Sequence, residues 1–511
     1  MSSVSSGNRL SQLQQLQPGH LRRNALSPLR LIVVALAGTG PAADVALNMG
    51  PMASFARAGL VFAMVVTLVG IVIVASSLAG FAAKYTSSGG LYSWVAKSFG
   101  RDAGFVYGWF IAGAYIIFAG AGLAVFGGWT QSWFATTFHV AVPWWPWTLL
   151  AIVYVSWFAL RGIQITTGLA LALLSFEILV VIAISLTVVI VDHSALTWHP
   201  FNPSAAGSAG WDGIGLAMTY GVLCLVGFET GSTTSEEARH AHRSVGRGIL
   251  TTAIVLPLIL IFAGYAIVEG LGAHGVAALT STSAPLQTIG HKFWGGTFGF
   301  SLIVLTVLSS TLAFSQVAFN AGSRVIYALG RDGALPKVFA ATHRRWQTPL
   351  AGVAFMTFMC VVLAFPFASV VGPFNVWAYF GFTLSIMFLI LYLVACLAYL
   401  ADAIRAKEPL PVLRGVILPL LGATAMAYPL YRVVSPLPPS PYPAMAAIVP
   451  AWLAAGLLVW AVVRVRKPAL LQDVGMVLAL TAGGAADGQG VEEVTTWKSE
   501  PPVVPVPVDR D

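Results

Sequence analysis

The chain has 511 residues, of which 9% are charged and 57% are hydrophobic, and its formal net charge is +8. Soluble domains carry about 25% charged residues, and a globule with so few charges would expose far more apolar surface than soluble monomers tolerate. The composition therefore excludes a soluble enzyme and predicts an integral membrane protein, with no reason to expect a nucleic-acid partner. The 3 cysteines have no Cys-x-x-Cys spacing, which argues against a disulfide framework or a zinc site.

Runs of about 20 mainly apolar residues, enough to cross a hydrocarbon core of about 30 Å, follow one another along the chain. We number them spans 1 to 12, and they cover residues 29–49, 57–81, 104–134, 144–160, 165–191, 213–235, 248–270, 296–327, 350–367, 374–400, 412–432 and 442–463. Residues 1–28 contain no apolar core of the signal-peptide type, so we expect a disordered cytoplasmic amino terminus and an uncleaved first span. Residues 468–511 predict a disordered cytoplasmic tail.

The positions of the basic residues test this topology, because cytoplasmic loops are enriched in Lys and Arg. With the amino terminus inside, only Arg57, Lys292 and Arg432 of the 27 basic residues fall on the outer side. If the number of spans were wrong by one, every later loop would change sides and the basic residues would no longer collect on one side. We therefore expect a multi-pass protein in the lipid bilayer of the cytoplasmic membrane, with both termini in the cytoplasm.

The sequence lacks the motifs of several kinds of membrane enzyme and pump. A Walker A loop needs a Gly-Lys dipeptide, and the chain has none, so it is not itself an ATP-driven pump. The H-E-x-x-H and G-x-S-x-G patterns are absent as well, and no cluster of histidines and carboxylates falls inside the spans. These absences predict that the chain is not an enzyme and holds neither a cofactor nor a metal.

Two spans carry helix-breaking residues near mid-membrane. Span 1 contains Gly38-Thr39-Gly40-Pro41, and span 6 contains Val226-Gly227-Phe228-Glu229-Thr230-Gly231. Unwound backbone at this depth is tolerated only where protein or a water-filled cavity surrounds it, and breaks at matching positions of two halves indicate a central binding site. Close packing between helices explains either glycine cluster taken alone. The coincidence of the two favours a binding site.

Three sequence patterns lie in order on the predicted spans. They are Gly89-Gly90-Leu91-Tyr92-Ser93-Trp94 with Phe99-Gly100, Gly104-Phe105 and Gly108-Trp109; Gly227-Phe228-Glu229 with Glu236-Glu237; and Asn320, Ser323-Arg324, Tyr327-Ala328, Arg331-Asp332-Gly333, Leu335-Pro336 and Thr348-Pro349. Together they resemble the amino acid-polyamine-organocation (APC) superfamily over about residues 25–400. The resemblance implies an all-α membrane fold with 12 transmembrane helices, in which residues 29–400 form an inverted five-plus-five repeat (a leucine-transporter-like fold) with discontinuous helices 1 and 6, and residues 401–467 add helices 11 and 12.

The resemblance also implies a secondary active transporter that holds a small molecule, an amino acid or related amine, between the two broken spans. Amides at the start of a half-helix favour a carboxylate, and unwound carbonyls favour an ammonium group. The implied substrate-binding residues are Gly38, Thr39, Gly40, Ala42 and Asp44 in span 1, and Tyr220, Leu223, Leu225, Val226, Gly227 and Phe228 in span 6. Two positions depart from the family: Pro41-Ala42-Ala43 replaces a bulkier motif, and Leu223 stands where many relatives have an aromatic gate.

Two carboxyl groups inside the spans have open roles. Some proton-coupled relatives carry a Lys in span 5, and the matching position here is Glu177, the one ionisable side chain between Ile165 and Val191. Because an isolated ion at this depth is costly, Glu177 is either a proton-coupling residue or a permanently protonated bridge between helices. Asp44 either stabilises the start of a half-helix through its dipole or attracts a cation, which would favour an amine or polyamine.

The remaining candidates are gating and structural residues. We expect Glu229 to brace the inner half of span 6, and Glu236 and Glu237 to form a solvated ion-pair face, serving as an inner latch, with Arg239, Arg243 and Arg247 nearby. The resemblance adds Asn320, Arg324 and Arg331 to this set. Hydroxyls of Ser309, Ser310 and Thr311 offer a sodium site, although such hydroxyls usually bond their own helix. An amino acid or amine exchanger, a polyamine transporter, and a channel or sensor on the same scaffold remain as alternatives, and the oligomeric state stays open.

Overall fold

The computed structural model describes residues 26–192, 196–238, 240–279, 285–406, 410–435, 437 and 440–466. The predicted disordered tails lie almost wholly outside these ranges, as does Arg239. Within them the chain is helical, and isolated bridges join Leu26 to Ala238 and Thr342 to Pro349. The parallel bridge at Leu26 fastens the entry to span 1 against the exit from span 6.

The first eight helices run from the amino terminus to the break in span 6. They are α1 (Pro28–Thr39), α2 (Pro41–Ala56), α3 (Leu60–Lys84), α4 (Leu91–Phe99), α5 (Arg101–Thr137), α6 (Trp145–Arg161), α7 (Ile163–Val191) and α8 (Gly210–Leu223). Proline begins both α1 and α2, a position where its missing N–H leaves no intrahelical hydrogen bond unmade. The local sequence therefore sets two helix starts within span 1.

Seven more helices complete the described chain. They are α9 (Ala241–Leu279), α10 (Pro285–Trp294), α11 (Gly296–Arg331), α12 (Leu350–Val371), α13 (Pro373–Arg405), α14 (Leu418–Val434) and α15 (Tyr442–Arg466). Short 3-10 helices at Pro203–Ala209 and Thr230–Glu237 flank α8, and the second of these continues span 6 after its break. The predicted spans fall on these helices, with span 1 divided between α1 and α2 and span 6 divided between α8 and the 3-10 helix after its break.

Nine helical stretches of the described residues are long and apolar enough to cross a membrane. The first runs from Pro28 to Lys84 and contains spans 1 and 2. Spans 4 and 6 are missing from the nine because α6 has 17 residues and α8 has 14. An all-helical, membrane-spanning architecture is therefore confirmed for the described chain, while the number of crossings and the inverted repeat stay predictions.

Helices α5 and α15 show how the interior of the bundle differs from its rim. The most apolar part of α5 is 94% buried, and α11, α12 and α13 pack around it. The corresponding part of α15 is 11% buried. An apolar helix that exposes its side chains all round is typical of a membrane span at the lipid boundary. The candidate site lies on the interior side, where α1, α2, α7, α8, α11 and α13 meet.

Candidate functional site

The break in span 1 is a single residue, Gly40, between α1 and α2. Its backbone is left-handed, with φ 75° and ψ 68°, a region that favours glycine. A Cβ at this position would lie 2.7 Å from Cδ1 of Phe314 in α11, so the ring also leaves no room for a side chain. Helix α2 therefore begins afresh inside the bundle, with Ala42, Ala43 and Asp44 in its first turn.

The break in span 6 is a turn over residues 224–229, and its backbone contacts the break in span 1. Gly227 has φ 113°, and a Cβ there would collide with the carbonyl oxygen of Gly38. A Cβ on Gly38 would in turn lie 3.2 Å from the Gly227 carbonyl oxygen. Glycines at both positions let the two unwound segments touch. The structure thus brings together the two breaks that the sequence placed 189 residues apart, counting from Gly38 to Gly227.

Glu229 braces this turn with both of its carboxyl oxygens. Oε2 accepts the Gly227 N–H at 2.9 Å and the Tyr392 hydroxyl at 2.7 Å, and Oε1 accepts the Tyr115 hydroxyl at 2.9 Å. Glu229, Tyr115 and Tyr392 are each 0% exposed. The three donors come from span 6 itself, α5 and α13. A single carboxyl group therefore ties the turn to two other helices.

Glu177 on α7 is equally buried and has no such partners. It is 0% exposed, and neither of its carboxyl oxygens makes a hydrogen bond. The donors beside it are the hydroxyls of Ser310 and Ser309 on α11 and the Ala42 N–H at the start of α2. The carboxyl group therefore faces the start of α2 in span 1, with donors of α2 and α11 beside it and no hydrogen bond formed to either oxygen.

Asp44 lies beside Glu177, close enough for the two carboxyl groups to repel each other when both are charged. It is 4% exposed, and its Oδ1 accepts the Asn48 amide at 3.0 Å while Oδ2 has no hydrogen-bonding partner. The Asn48 oxygen accepts the indole N–H of Trp377 on α13 at 3.1 Å. Cys224, at the start of the span 6 turn, lies near Asp44 and Asn48. Asp44 and Glu177 therefore lie close to the two breaks.

The other predicted substrate-binding residues line the same junction or pack just behind it. Tyr220 and Leu223 end α8 and are buried, and the Tyr220 ring stacks on Phe55 with centroids 6.1 Å apart. Phe228 packs against the Tyr392 ring at 5.3 Å. Leu225 and Val226 are buried within the turn, and Thr39 donates its hydroxyl to the Leu36 carbonyl at 2.6 Å. All of them stay candidates for substrate contact.

The hydroxyls proposed for sodium are engaged by the protein. Ser309 donates to the Thr306 carbonyl at 2.9 Å, and Thr311 donates to the Val307 carbonyl at 2.7 Å, as expected for hydroxyls in a helix. Ser310 instead accepts the Ala43 N–H at 3.0 Å. This last bond joins α11 to the start of α2, and two of the three hydroxyls keep to their own helix.

The predicted ion pairs at the inner end have different partners from those expected. Glu237 pairs with Arg324 of α11 at 2.8 Å, with both side chains 3% exposed, and Glu236 pairs with Arg331 at 2.9 Å. Arg243, expected nearby, is exposed and forms no ion pair among the described residues. Arg243 and Arg247, neighbours of the glutamates in sequence, are exposed on α9, whereas Arg324 and Arg331 of α11 bind the glutamates. The pair of Glu237 with Arg324 is therefore buried, and the pair of Glu236 with Arg331 is partly exposed.

Further bonds tighten this inner end. The Ser88 N–H donates to Glu236 at 2.8 Å, and the Leu26 N–H donates to the Glu237 carbonyl at 3.0 Å. The side-chain oxygen of Asn320 accepts a hydrogen bond from the Gln316 amide at 3.4 Å. The backbone carbonyl of Asn320 accepts one from the Arg324 guanidinium at 3.3 Å. Burial raises the pKa of Glu236, but the charge of Arg331 and the hydrogen bonds from Arg331 and Ser88 together lower it more, so this pKa falls below its usual 4.5. Glu236 is therefore charged at neutral pH.

Sequence reasoning missed five residues that shape the site. They are Asn48, Tyr115, Phe314, Trp377 and Tyr392. Asn48 stands one helical turn after Asp44, so helix periodicity could have found it. The other four lie on α5, α11 and α13, and only the tertiary structure brings them to the breaks.

Comparisons with known proteins all find permeases, importers or transporters. The family model described as amino acid permease matches residues 29–462. The branched-chain amino acid permease BcaP of Lactococcus lactis is 27% identical over 341 residues, covering 62% of this chain and 70% of the relative. The low-affinity putrescine importer PlaP of Escherichia coli K12 is 26% identical over 301 residues, covering 56% and 62%. The methylthioribose transporter of Bacillus subtilis is 24% identical over 333 residues, covering 62% and 65%.

Proposed function

Because this chain belongs to the amino acid permease family, within the APC superfamily, we propose that it is a secondary active transporter of an amino acid or a related amine. The contact between the two broken spans carries the proposal. Paired breaks of this kind, deep in a helical bundle, are a recurring feature of transporter substrate sites. Its relatives BcaP and PlaP are named for branched-chain amino acids and for putrescine, an amine, and both kinds of substrate fall within this proposal.

The proposal includes the membrane arrangement predicted from the sequence. Twelve crossings would place both termini in the cytoplasm, and the ion pairs of Arg324 with Glu237 and of Arg331 with Glu236 would then close the cytoplasmic end. Alternating access requires that end to open while the outer end closes. The pairs join the exit of span 6 to the end of span 8, which is where relative movement of the two halves would separate them.

We assign proton coupling to Glu177. Its carboxyl group is fully buried without a hydrogen bond, and it faces the first turn of α2. When charged, it is attracted by the positive end of that helix dipole; when protonated, it is released from that attraction. Gain and loss of one proton would therefore change how α7 holds the outer half of span 1. Glu229 cannot act in this way, because its carboxyl oxygens already accept three hydrogen bonds.

Uptake into proteoliposomes tests the function. We expect purified full-length protein to accumulate at least one labelled amino acid or amine, and acidifying the outside to increase its initial rate. Glu177→Gln should remove the response to the pH gradient while the protein stays folded. The matched control is Glu269→Gln, since Glu269 accepts bonds from Thr197 at 2.9 and 3.1 Å, away from the breaks.

Three results would count against the proposal in different ways. No uptake of any compound would refute the transporter itself. Uptake that ignores the pH gradient would refute proton coupling, and an equal pH response in Glu177→Gln would move the coupling to another group. Counterflow of labelled substrate would favour an exchanger, and ionic current far above any carrier's turnover would favour a channel.

A further inference from the structure

The site between the breaks holds two acidic side chains and no basic side chain among the described residues. Asp44 and Glu177 are 4% and 0% exposed, and between them three carboxyl oxygens have no hydrogen-bonding partner. Buried polar groups in proteins are nearly always paired, so orphaned ones call for an explanation such as an unseen ion or ligand. Among the described residues the one fully buried basic side chain is Arg324, and it is bound to Glu237 at the far end. No protein cation balances the two acids.

Few amides at the start of α2 are available to bind a substrate carboxylate. At the start of α2, Pro41 has no N–H, Ala43 donates to the Ser310 hydroxyl at 3.0 Å, and Asp44 donates to the Gly40 carbonyl at 2.9 Å. The remaining amide, that of Ala42, faces the Glu177 carboxyl group. The protein thus places its own carboxyl group beside this helix start, and a substrate carboxylate there would lie close to Asp44 as well.

An aromatic cluster stands beside the acids. The rings of Phe118, Phe314 and Trp377 lie with centroids 5.0, 5.2 and 6.1 Å apart. Phe314 contacts Gly40 at the span 1 break, and Trp377 is joined through Asn48 to Asp44. Aromatic faces attract ammonium groups and also pack against the carbon chain that bears them. Acidic oxygens next to aromatic rings suit an alkylammonium ion better than a zwitterion.

Resting on the transport function proposed above, we infer that the substrate is a cationic amine without a carboxylate, whose ammonium group binds Oδ2 of Asp44. Glu177 adds a second negative charge behind it whenever its carboxyl group is ionised. The chain of the amine lies against the aromatic cluster.

Matched pairs of compounds that differ by one carboxylate test the inference in proteoliposomes. The pairs are isobutylamine against valine and putrescine against ornithine. We expect the amine of at least one pair to reach half-maximal uptake at a concentration about 10- to 100-fold lower than its amino acid, the range that one hydrogen-bonded charge commonly supplies. Asp44→Asn should raise that concentration for the amine by a similar factor and leave that for the amino acid unchanged or lower.

Controls separate this inference from the function it rests on. Asp212→Asn is the matched variant, because Asp212 pairs with Arg432 and is 71% exposed. If Asp44→Asn fails to fold, thermal melting of the unaltered protein decides: amines should raise its melting temperature and their amino acids should not. Uptake of the amino acids in preference to the amines, or an equal effect of Asp44→Asn on both, overturns the inference alone. Absence of all uptake would instead remove the transport function.

Discussion

Two buried glutamates in the same bundle have opposite surroundings. Glu229 and Glu177 are both 0% exposed, yet Glu229 receives three hydrogen bonds and Glu177 receives none. A saturated carboxyl group acts as a fixed part of the structure, because any movement would break bonds that cannot be remade in an apolar interior. An unsaturated one is free to bind a proton or a cation. Burial alone therefore does not tell the two roles apart, whereas hydrogen-bond saturation does.

The largest expected effect follows from removing the saturated carboxyl group. Glu229→Leu leaves the hydroxyls of Tyr115 and Tyr392 and the Gly227 N–H without an acceptor. Each buried donor left unpaired costs about 1–3 kcal/mol, so we expect the free energy of unfolding to fall by roughly 3 kcal/mol or more. Thermal melting of the detergent-solubilised full-length protein measures this loss. Glu269→Leu, outside the site, provides the comparison.

Glu229→Gln refines the same test. The amide keeps one oxygen acceptor but replaces the other with a donor, so only part of the three-bond network survives. A melting temperature between those of the unaltered protein and Glu229→Leu is expected. If Glu229→Leu melts like the unaltered protein, the bonds to the two tyrosines do not hold the span 6 turn, and the comparison with Glu177 fails.

A smaller effect on the free energy of unfolding, neutral or stabilising, is expected when Glu177 is replaced by leucine. Glu177→Leu removes a buried carboxyl group that makes no hydrogen bond and repels Asp44. Replacing such a group with an apolar side chain of similar size is commonly neutral or stabilising. We expect a free energy of unfolding within about 1 kcal/mol of the original, or above it. Transport should nevertheless lose its dependence on the pH gradient.

The outcome of the two Glu→Leu variants has to differ for the comparison to stand. Melting is measured side by side under the same detergent and lipid conditions, since both proteins differ from the original at one buried position. A loss at Glu177 as large as that at Glu229 would mean that Glu177 has structural partners in the membrane, and it would favour the permanently protonated bridge considered from the sequence.

The sequence predicted what depends on local chemistry. Gly40 and Gly227 signalled the breaks because their backbone conformations require glycine, and Glu177 stood out because no other ionisable group shares its span. Asp44 was left with two roles, and its Asn48 contact could have been read from helix spacing. Helix positions were predictable for the same reason, since an apolar run long enough to cross a membrane is visible without any partner.

What depends on distant partners could not be predicted. Nothing near Glu229 in the sequence indicates Tyr115 or Tyr392, which come from α5 and α13 and make Glu229 a brace. For Glu236 and Glu237, sequence proximity suggested arginines at the start of α9, but Arg324 and Arg331 of α11 bind them. The difference between a saturated and an unsaturated carboxyl group is a tertiary property, and it became visible only when the helices were placed together.

The smallest expected effect lies at Glu236, which extends the comparison to the bundle's end. Burial there is outweighed by the charge of Arg331 together with the hydrogen bonds from Arg331 and Ser88, and the pKa of Glu236 lies below its usual 4.5. A lowered pKa means that the stabilisation by the ionised group is complete above 4.5 and is lost only as the pH falls through the lowered value. The side chain is 24% exposed, so Glu236→Gln should cost no more than about 1 kcal/mol.

That cost should be the same at every pH from about 6 to 8, because Glu236 stays ionised throughout this range. Melting of the original and of Glu236→Gln at several pH values gives the difference directly, and Glu237, present in both proteins, largely cancels. A difference that vanishes toward pH 6 would show that Glu236 titrates in the physiological range and that the inner end, and not only Glu177, responds to protons. A constant difference would show that Glu236 does not titrate between about pH 6 and 8.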